Sequence, residues 1–159
     1  MASGLIGEAI LIIASVIVAG SVAGVVLSQI GVFESSITQT SEDQKDKLLT
    51  KIKIIYVANS TDNDAEVWVK NIGKNPITSL DKIDVYFGPV NAVQRFAYTV
   101  GDVDETWEIN GGIPSPAVWQ QMDTLELQLD EDSLAKSTTY EVRVITPQGV
   151  SDEYIFSIP

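Results

Sequence analysis

Residues 9–33 run 25 positions without one charged side chain, and the run begins close to the first methionine. About 20 apolar residues are enough for a helix to cross the hydrocarbon of a bilayer. A chain that opens this way has its setting decided early, because whatever follows is tied to an apolar helix that water alone does not satisfy.

Four kinds of segment could look like this. A cleaved secretory signal needs a basic stretch, a short apolar core and a small-residue cleavage site. No Lys or Arg precedes Lys45, and the apolar run is too long, so the start is expected to stay uncleaved. A buried core helix would need a larger partner domain than the remaining chain supplies. A single transmembrane anchor fits the length, and a pilin-type helix, which sits in a membrane and then packs in a filament core, fits nearly as well.

Small residues line the helix, among them Ala19, Ala23 and Ser28, and Gly20 with Gly24 forms a GxxxG pair. Small residues four apart share a face and let helix backbones approach closely in lipid. Gly20 and Gly24 are therefore candidate helix-packing residues. Glu8 stands one residue before the uncharged run, where an acid is costly unless it is paired or reaches the interface. Its bland role is an interfacial group near the positive end of the helix dipole. Its sharper role is an intermolecular partner, since counted from Gly4 it is the fifth residue, the offset of the acid in mature type IV pilins.

From Glu34 to about Lys53 the chain turns polar, with Glu34, Glu42, Asp43 and Asp46 balancing Lys45, Lys47, Lys51 and Lys53. Thr38, Gln39, Thr40 and Ser41 interrupt the apolar stripe and make a poor solitary helix. Read as a continuous rod, residues 2–51 would span roughly 75 Å at about 1.5 Å per residue. The expected organisation is a transmembrane helix (1–33), a helical stalk (34–53) and a β-sandwich domain (54–159).

Beyond the stalk the period changes to two. Ile52, Ile54 and Tyr56 alternate with Lys51, Lys53 and Ile55; Val67 and Val69 alternate with Glu66, Trp68 and Lys70; Ile83, Val85 and Phe87 alternate with Lys82, Asp84 and Tyr86. Leu125, Leu127 and Leu129, then Tyr140, Val142 and Val144, repeat the pattern, and Tyr154 to Ile158 closes it. Turn residues separate the runs. Short half-buried strands at this spacing predict a mainly β fold, an antiparallel β-sandwich of immunoglobulin-like topology behind the N-terminal helix.

Residues 54–159 hold 17 acids and 6 bases, so the β domain carries nearly all of the net charge of −12. Nucleic acid is excluded as a partner, since phosphate binding needs a basic face. There is no His and no Cys, which removes the commonest acid–base group and all thiolate chemistry. Acidic turns at Asp62/Asp64, Asp102/Asp104/Glu105 and Asp130/Asp132 lack the spacing of a calcium loop and read as solvated turns. No catalytic residue, cofactor or metal is expected.

Contact surfaces are the better prospect. Trp68 and Tyr86 fall opposite the apolar alternation of their strands. The loop at residues 111–119 (GGIPSPAVW) is stiffened by Pro114 and Pro116 yet carries Ile113, Val118 and Trp119. It is either an exposed apolar patch, which marks an interaction site, or a loop tucked over the sandwich core. Ile113, Val118 and Trp119 are the candidate sandwich–sandwich interface. Asn59, with Ser60 and Thr61, forms a glycosylation sequon that matters only outside the cytoplasm.

The order of parts resembles a known family. Residues 1–13 (MASGLIGEAILII), the small-residue helix, the passage 48–55 (LLTKIKII), residues 67–74 (VWVKNIGK) and residues 140–150 (YEVRVITPQGV) are similar to the FlaG (ArlG) accessory proteins of the archaellum, the archaeal swimming filament. The related FlaF proteins and the archaellins share the helix-plus-sandwich plan. The resemblance implies a non-enzymatic, membrane-anchored, stator-type protein with its sandwich outside the cell membrane. It implies assembly with itself and with a FlaF-like accessory protein, and an indirect link to the surface layer. The placement of Lys and Arg alone leans toward a cytoplasmic C-terminal domain; the resemblance overrides it. A filament-forming archaellin or pilin-type subunit, and a tethered adhesive or ligand-binding sandwich, stay as alternatives.

Overall fold

The computed structural model describes residues 2–59, 63–101, 104–131 and 134–158. One helix, α1, spans Ala2–Leu49, about 72 Å at about 1.5 Å per residue. Its apolar part meets the demand that every backbone group in hydrocarbon be satisfied within the helix. Two hydroxyls in that part are satisfied within the helix as well: Ser15 donates to the Ile12 carbonyl and Ser21 to the Ile17 carbonyl, each at 2.8 Å. The polar stretch around residue 40 was expected to weaken the helix, but the helix runs through it. Thr38 and Thr40 donate to the carbonyls of Glu34 and Ser36 at 2.9 and 2.8 Å. Hydroxyls bonded this way stop competing for the backbone from outside the helix.

The chain divides into two compact units, Met1–Asp43 and Gln44–Pro159. The last turn of α1 thus belongs to the β unit.

That unit begins with a hairpin of β1 (Ile52–Asn59) and β2 (Asp64–Asn71). After the short β3 (Ile77–Thr78) and a 3₁₀ turn at Leu80–Lys82 come β4 (Asp84–Pro89), β5 (Gln94–Tyr98) and β6 (Thr106–Ile109). β7 (Val118–Trp119), β8 (Thr124–Asp130), β9 (Thr139–Ile145) and β10 (Ser151–Ser157) complete it. Eight strands order as β1-β2-β8-β6-β5-β4-β9-β10, and β3 pairs with β7. Every pairing is antiparallel except β5 with β6, where Ala97 and Tyr98 run parallel to Thr106 and Trp107. The ends of the order approach each other. Asp152 on β10 accepts from the Ile54 N–H of β1 at 2.8 Å and from Lys53 at 3.0 Å. The result is a sandwich that curls toward a barrel.

Inward residues follow the expected alternation. Val67 and Val69, Val85 and Phe87, Leu125, Leu127 and Leu129, and Val142 and Val144 are buried. Phe87 stacks on Tyr140 with ring centroids 5.4 Å apart and meets Phe96 edge-on at 5.5 Å, geometries that add to simple area burial. One strand departs from strict alternation. A bulge between Ile54 and Tyr56 turns both Ile55 and Tyr56 outward and brings Val57 inward. Tyr56, expected inside, is therefore on the surface, because an extra residue in one strand resets which face follows.

Candidate functional site

No catalytic constellation emerges among the described residues; what the geometry offers is a joint and several surfaces. The joint lies where α1 gives way to β1. Residues 71–75 fold back over it: the N–H groups of Ile72 and Gly73 both donate to the Lys51 carbonyl at 2.8 Å, and the Lys74 N–H donates to the Leu49 carbonyl at 2.7 Å. The Asn75 side chain reaches Asp46 on the last helical turn at 3.0 Å. Helix ends leave carbonyls without partners, and here the β2–β3 turn supplies the missing donors.

Asn71 organises that turn. Fully buried, it donates from Nδ2 to the carbonyls of Asn75 and Trp119 at 3.0 and 3.1 Å, and its Oδ1 accepts from the Gly73 N–H at 3.0 Å. Both ends of its amide are thus satisfied. Gly73 is required by space: a Cβ there would stand 2.5 Å from the Leu49 carbonyl oxygen and 2.5 Å from the Lys51 nitrogen. The sequence marks residues 73–76 as a turn and nothing more. That Gly73 packs on a backbone more than 20 residues earlier follows from the β1–β2 pairing, which no local signal carries.

The candidate residues on α1 present an open face. Nothing lies within 4 Å of a Cβ built on Gly20 or Gly24, and Glu8 is exposed. The loop after β6 shows both characters foreseen for it. Ile113 is exposed and Val118 half-buried, while Trp119 is 1 % exposed. Trp119 is corrected from contact residue to core residue. Its neighbour Val118 pairs with Thr78 in the β3–β7 ladder, and its indole N–H donates to the Asp123 carbonyl at 2.9 Å. Asn59 is exposed at the end of β1, and the rest of its sequon lies outside the described residues. Tyr86 is half-buried, and Trp68 rests against Tyr56 with ring centroids 5.4 Å apart.

Register also gathers the acidic turns. Asp64 on β2 and Thr106 on β6 both stand opposite Asp130 on β8. The Glu105 N–H donates to the Asp130 carbonyl at 2.9 Å, and the Glu131 N–H to the Asn63 carbonyl at 3.0 Å. Three turns far apart in sequence therefore share one end of the sheet. Asp62, Asp102 and Asp132 lie outside the described residues, and among the described ones no group of three acids is placed to hold a metal.

Helix and sandwich together define a class of protein: an apolar N-terminal helix, long enough to cross a membrane, followed in the same chain by a small β-sandwich. The family is narrower still. The archaeal-type flagellin family model matches residues 2–156, helix and sandwich alike, and the chain belongs to that family.

Solved structures agree. The archaellum periplasmic stator protein FlaG from Sulfolobus acidocaldarius is 26 % identical over 68 % of this chain and 100 % of its own, with a TM-score of 0.60. The FlaF–FlaG stator complex from the same organism matches at 26 % identity, covering 68 % of this chain and 90 % of that chain, with a TM-score of 0.60. The archaeal flagellum of Methanospirillum hungatei shares the fold at 13 % identity, over 95 % of this chain and 92 % of its own, with a TM-score of 0.62. A search of curated proteins finds no significant match.

Proposed function

We propose that this chain is a non-enzymatic structural component of the archaellum, anchored in the cell membrane by residues 9–33 and acting outside it through protein contacts. The observation that carries the reading is the match to FlaG: 68 % of this chain covers the whole of that structure at 26 % identity. A stator-type part must hold still while a filament turns, and this chain has the components for that. The apolar helix fixes it in lipid, the rest of α1 from residue 34 to Leu49 leads out as a stalk, shorter than the 34–53 expected because β1 begins at Ile52, and the sandwich takes the mechanical load. The joint at Leu49 passes force from helix end to β-sheet through backbone hydrogen bonds, which do not slip by rotamer changes.

A FlaF-like protein and further copies of the chain are the partners in this reading, with the surface layer reached indirectly. Gly20 and Gly24 pack helix on helix, Glu8 takes a partner near the membrane surface, and Ile113 with Val118 forms a contact on the sandwich that Trp119 supports from within. Asn59 faces outward where a glycan would be accepted. A filament-subunit role is the second reading, favoured because the family match includes the helix as well as the sandwich.

Topology and role can be tested together. A C-terminal tag on the chain should be labelled by a membrane-impermeant reagent on intact cells. Cells lacking the chain should lose swimming. Labelling only after lysis, with swimming intact, contradicts the proposal.

A further inference from the structure

We propose that the outer face of β1–β2 pairs with the same face of a second copy of this chain, strands antiparallel, with Trp68 on the two-fold axis. The proposal rests on the reading that the chain works through protein contacts, and it names one of them.

Register divides this face into three rows. Lys53 stands beside Lys70, Tyr56 beside Trp68, and Ala58 beside Glu66. A basic row therefore lies on one side of an aromatic row and an acidic position on the other. The aromatic row reaches the surface, with Tyr56 57 % exposed, the bulged Ile55 49 % exposed next to it and Trp68 half-buried. Without the bulge only one of those two side chains would face outward. An aromatic centre with a charged rim is the anatomy of an interface whose few central residues dominate binding.

Charge selects the partner and its direction. Two copies can stack these faces with their strands aligned in two ways. A two-fold axis along the strands sets each row on itself, so Lys70 meets the basic row of the second copy and Glu66 its acidic position, which is repulsive; Lys53 is already paired with Asp152 at 3.0 Å. An axis across the strands reverses the rows: Lys70 meets Glu66 of the second copy, Glu66 meets its Lys70, and the aromatic rows meet each other. Such a contact is self-complementary, as an isologous interface must be, and it suppresses the wrong alignment. Glu126 lies opposite Trp68 on β8 and so meets its own copy at the end of the central row, a single like-charge contact set against the two Lys70–Glu66 pairs; the Asn110 side chain donates to its carboxylate at 2.6 Å.

The chain has no cysteine of its own, so engineered thiols report without background. The full chain is purified in detergent as two differently tagged variants, Glu66→Cys and Lys70→Cys, which are mixed before mild oxidation. Mixed cross-links should exceed those formed by either variant alone by at least tenfold, and Trp68→Glu added to both should remove them. Cross-links of Glu66→Cys with itself that match the mixed product would overturn the antiparallel pairing. An oligomer by sedimentation that gives no cross-link at these sites would overturn this face as the contact while leaving assembly of the chain intact. Cross-linking in native membranes only to a different protein would assign the face to that partner and overturn the self-pairing.

Discussion

Gly73→Ala tests the joint between α1 and β1 most sharply. The added Cβ would sit 2.5 Å from the Leu49 carbonyl oxygen and from the Lys51 nitrogen, and both are backbone atoms that cannot swing aside as a side-chain tip would. Either the turn lifts off or the helix end moves. Forcing a methyl into a packed site costs about 1–3 kcal/mol. Lifting the turn also weakens the hydrogen bonds from Ile72, Gly73 and Lys74 to Lys51 and Leu49, each worth about 1 kcal/mol. Taking about 3 kcal/mol, and about 2.1 cal/mol/K of unfolding entropy for each of the residues in Gln44–Pro159, the melting temperature should fall by about 12 °C. Trp68, Trp107 and Trp119 all lie in the sandwich, so near-ultraviolet circular dichroism in the tryptophan band, recorded on the full chain in detergent, follows this unit without signal from the helix. A loss below about 3 °C would refute the claim that the turn is packed against the helix end.

Three further outcomes follow from the same geometry. Asn71→Ala removes a buried amide that donates to the carbonyls of Asn75 and Trp119 and should cost about 2–4 kcal/mol in the same melt, since each buried group that loses its donor is expensive, while the Gly73 N–H keeps the Lys51 carbonyl. Asp152→Ala frees the edge of β1 by removing the acceptor of the Ile54 N–H and the partner of Lys53; about 1–3 kcal/mol is expected, with hydrogen exchange rising first at Ile54. Replacing Gly20 and Gly24 together by Leu should weaken helix self-association in detergent at least fivefold by energy transfer between labelled chains, because the bulk prevents close approach of the backbones.

Much of this architecture is visible in the sequence, and the exceptions have causes. The uncharged run at residues 9–33 and the strands with three inward apolar residues, such as Leu125, Leu127 and Leu129, declare themselves because burial on one face writes the period directly. β5 and β6 do not, since Phe96 is the one fully inward residue of Gln94–Tyr98 and Thr106–Ile109 is four residues long. The bulge at Ile55 is hidden because two apolar residues in succession read as one continued strand. Trp119 shows the limit for sites: an apolar loop looks the same in sequence whether its tryptophan faces water or, as here, the core. Asn71 and Gly73 read as a turn, and their grip on residues 49–51 exists only once β1 and β2 have paired.

We read the chain as a fixed, membrane-held part of the archaellum rather than the polymer that turns. Quantitative mass spectrometry of filaments sheared from the cell surface, set against the membrane fraction of the same cells, decides it most directly. A stator-type chain should stay with the membranes and be at most a trace component of the filaments. Recovery as a major subunit of the sheared filament would contradict it.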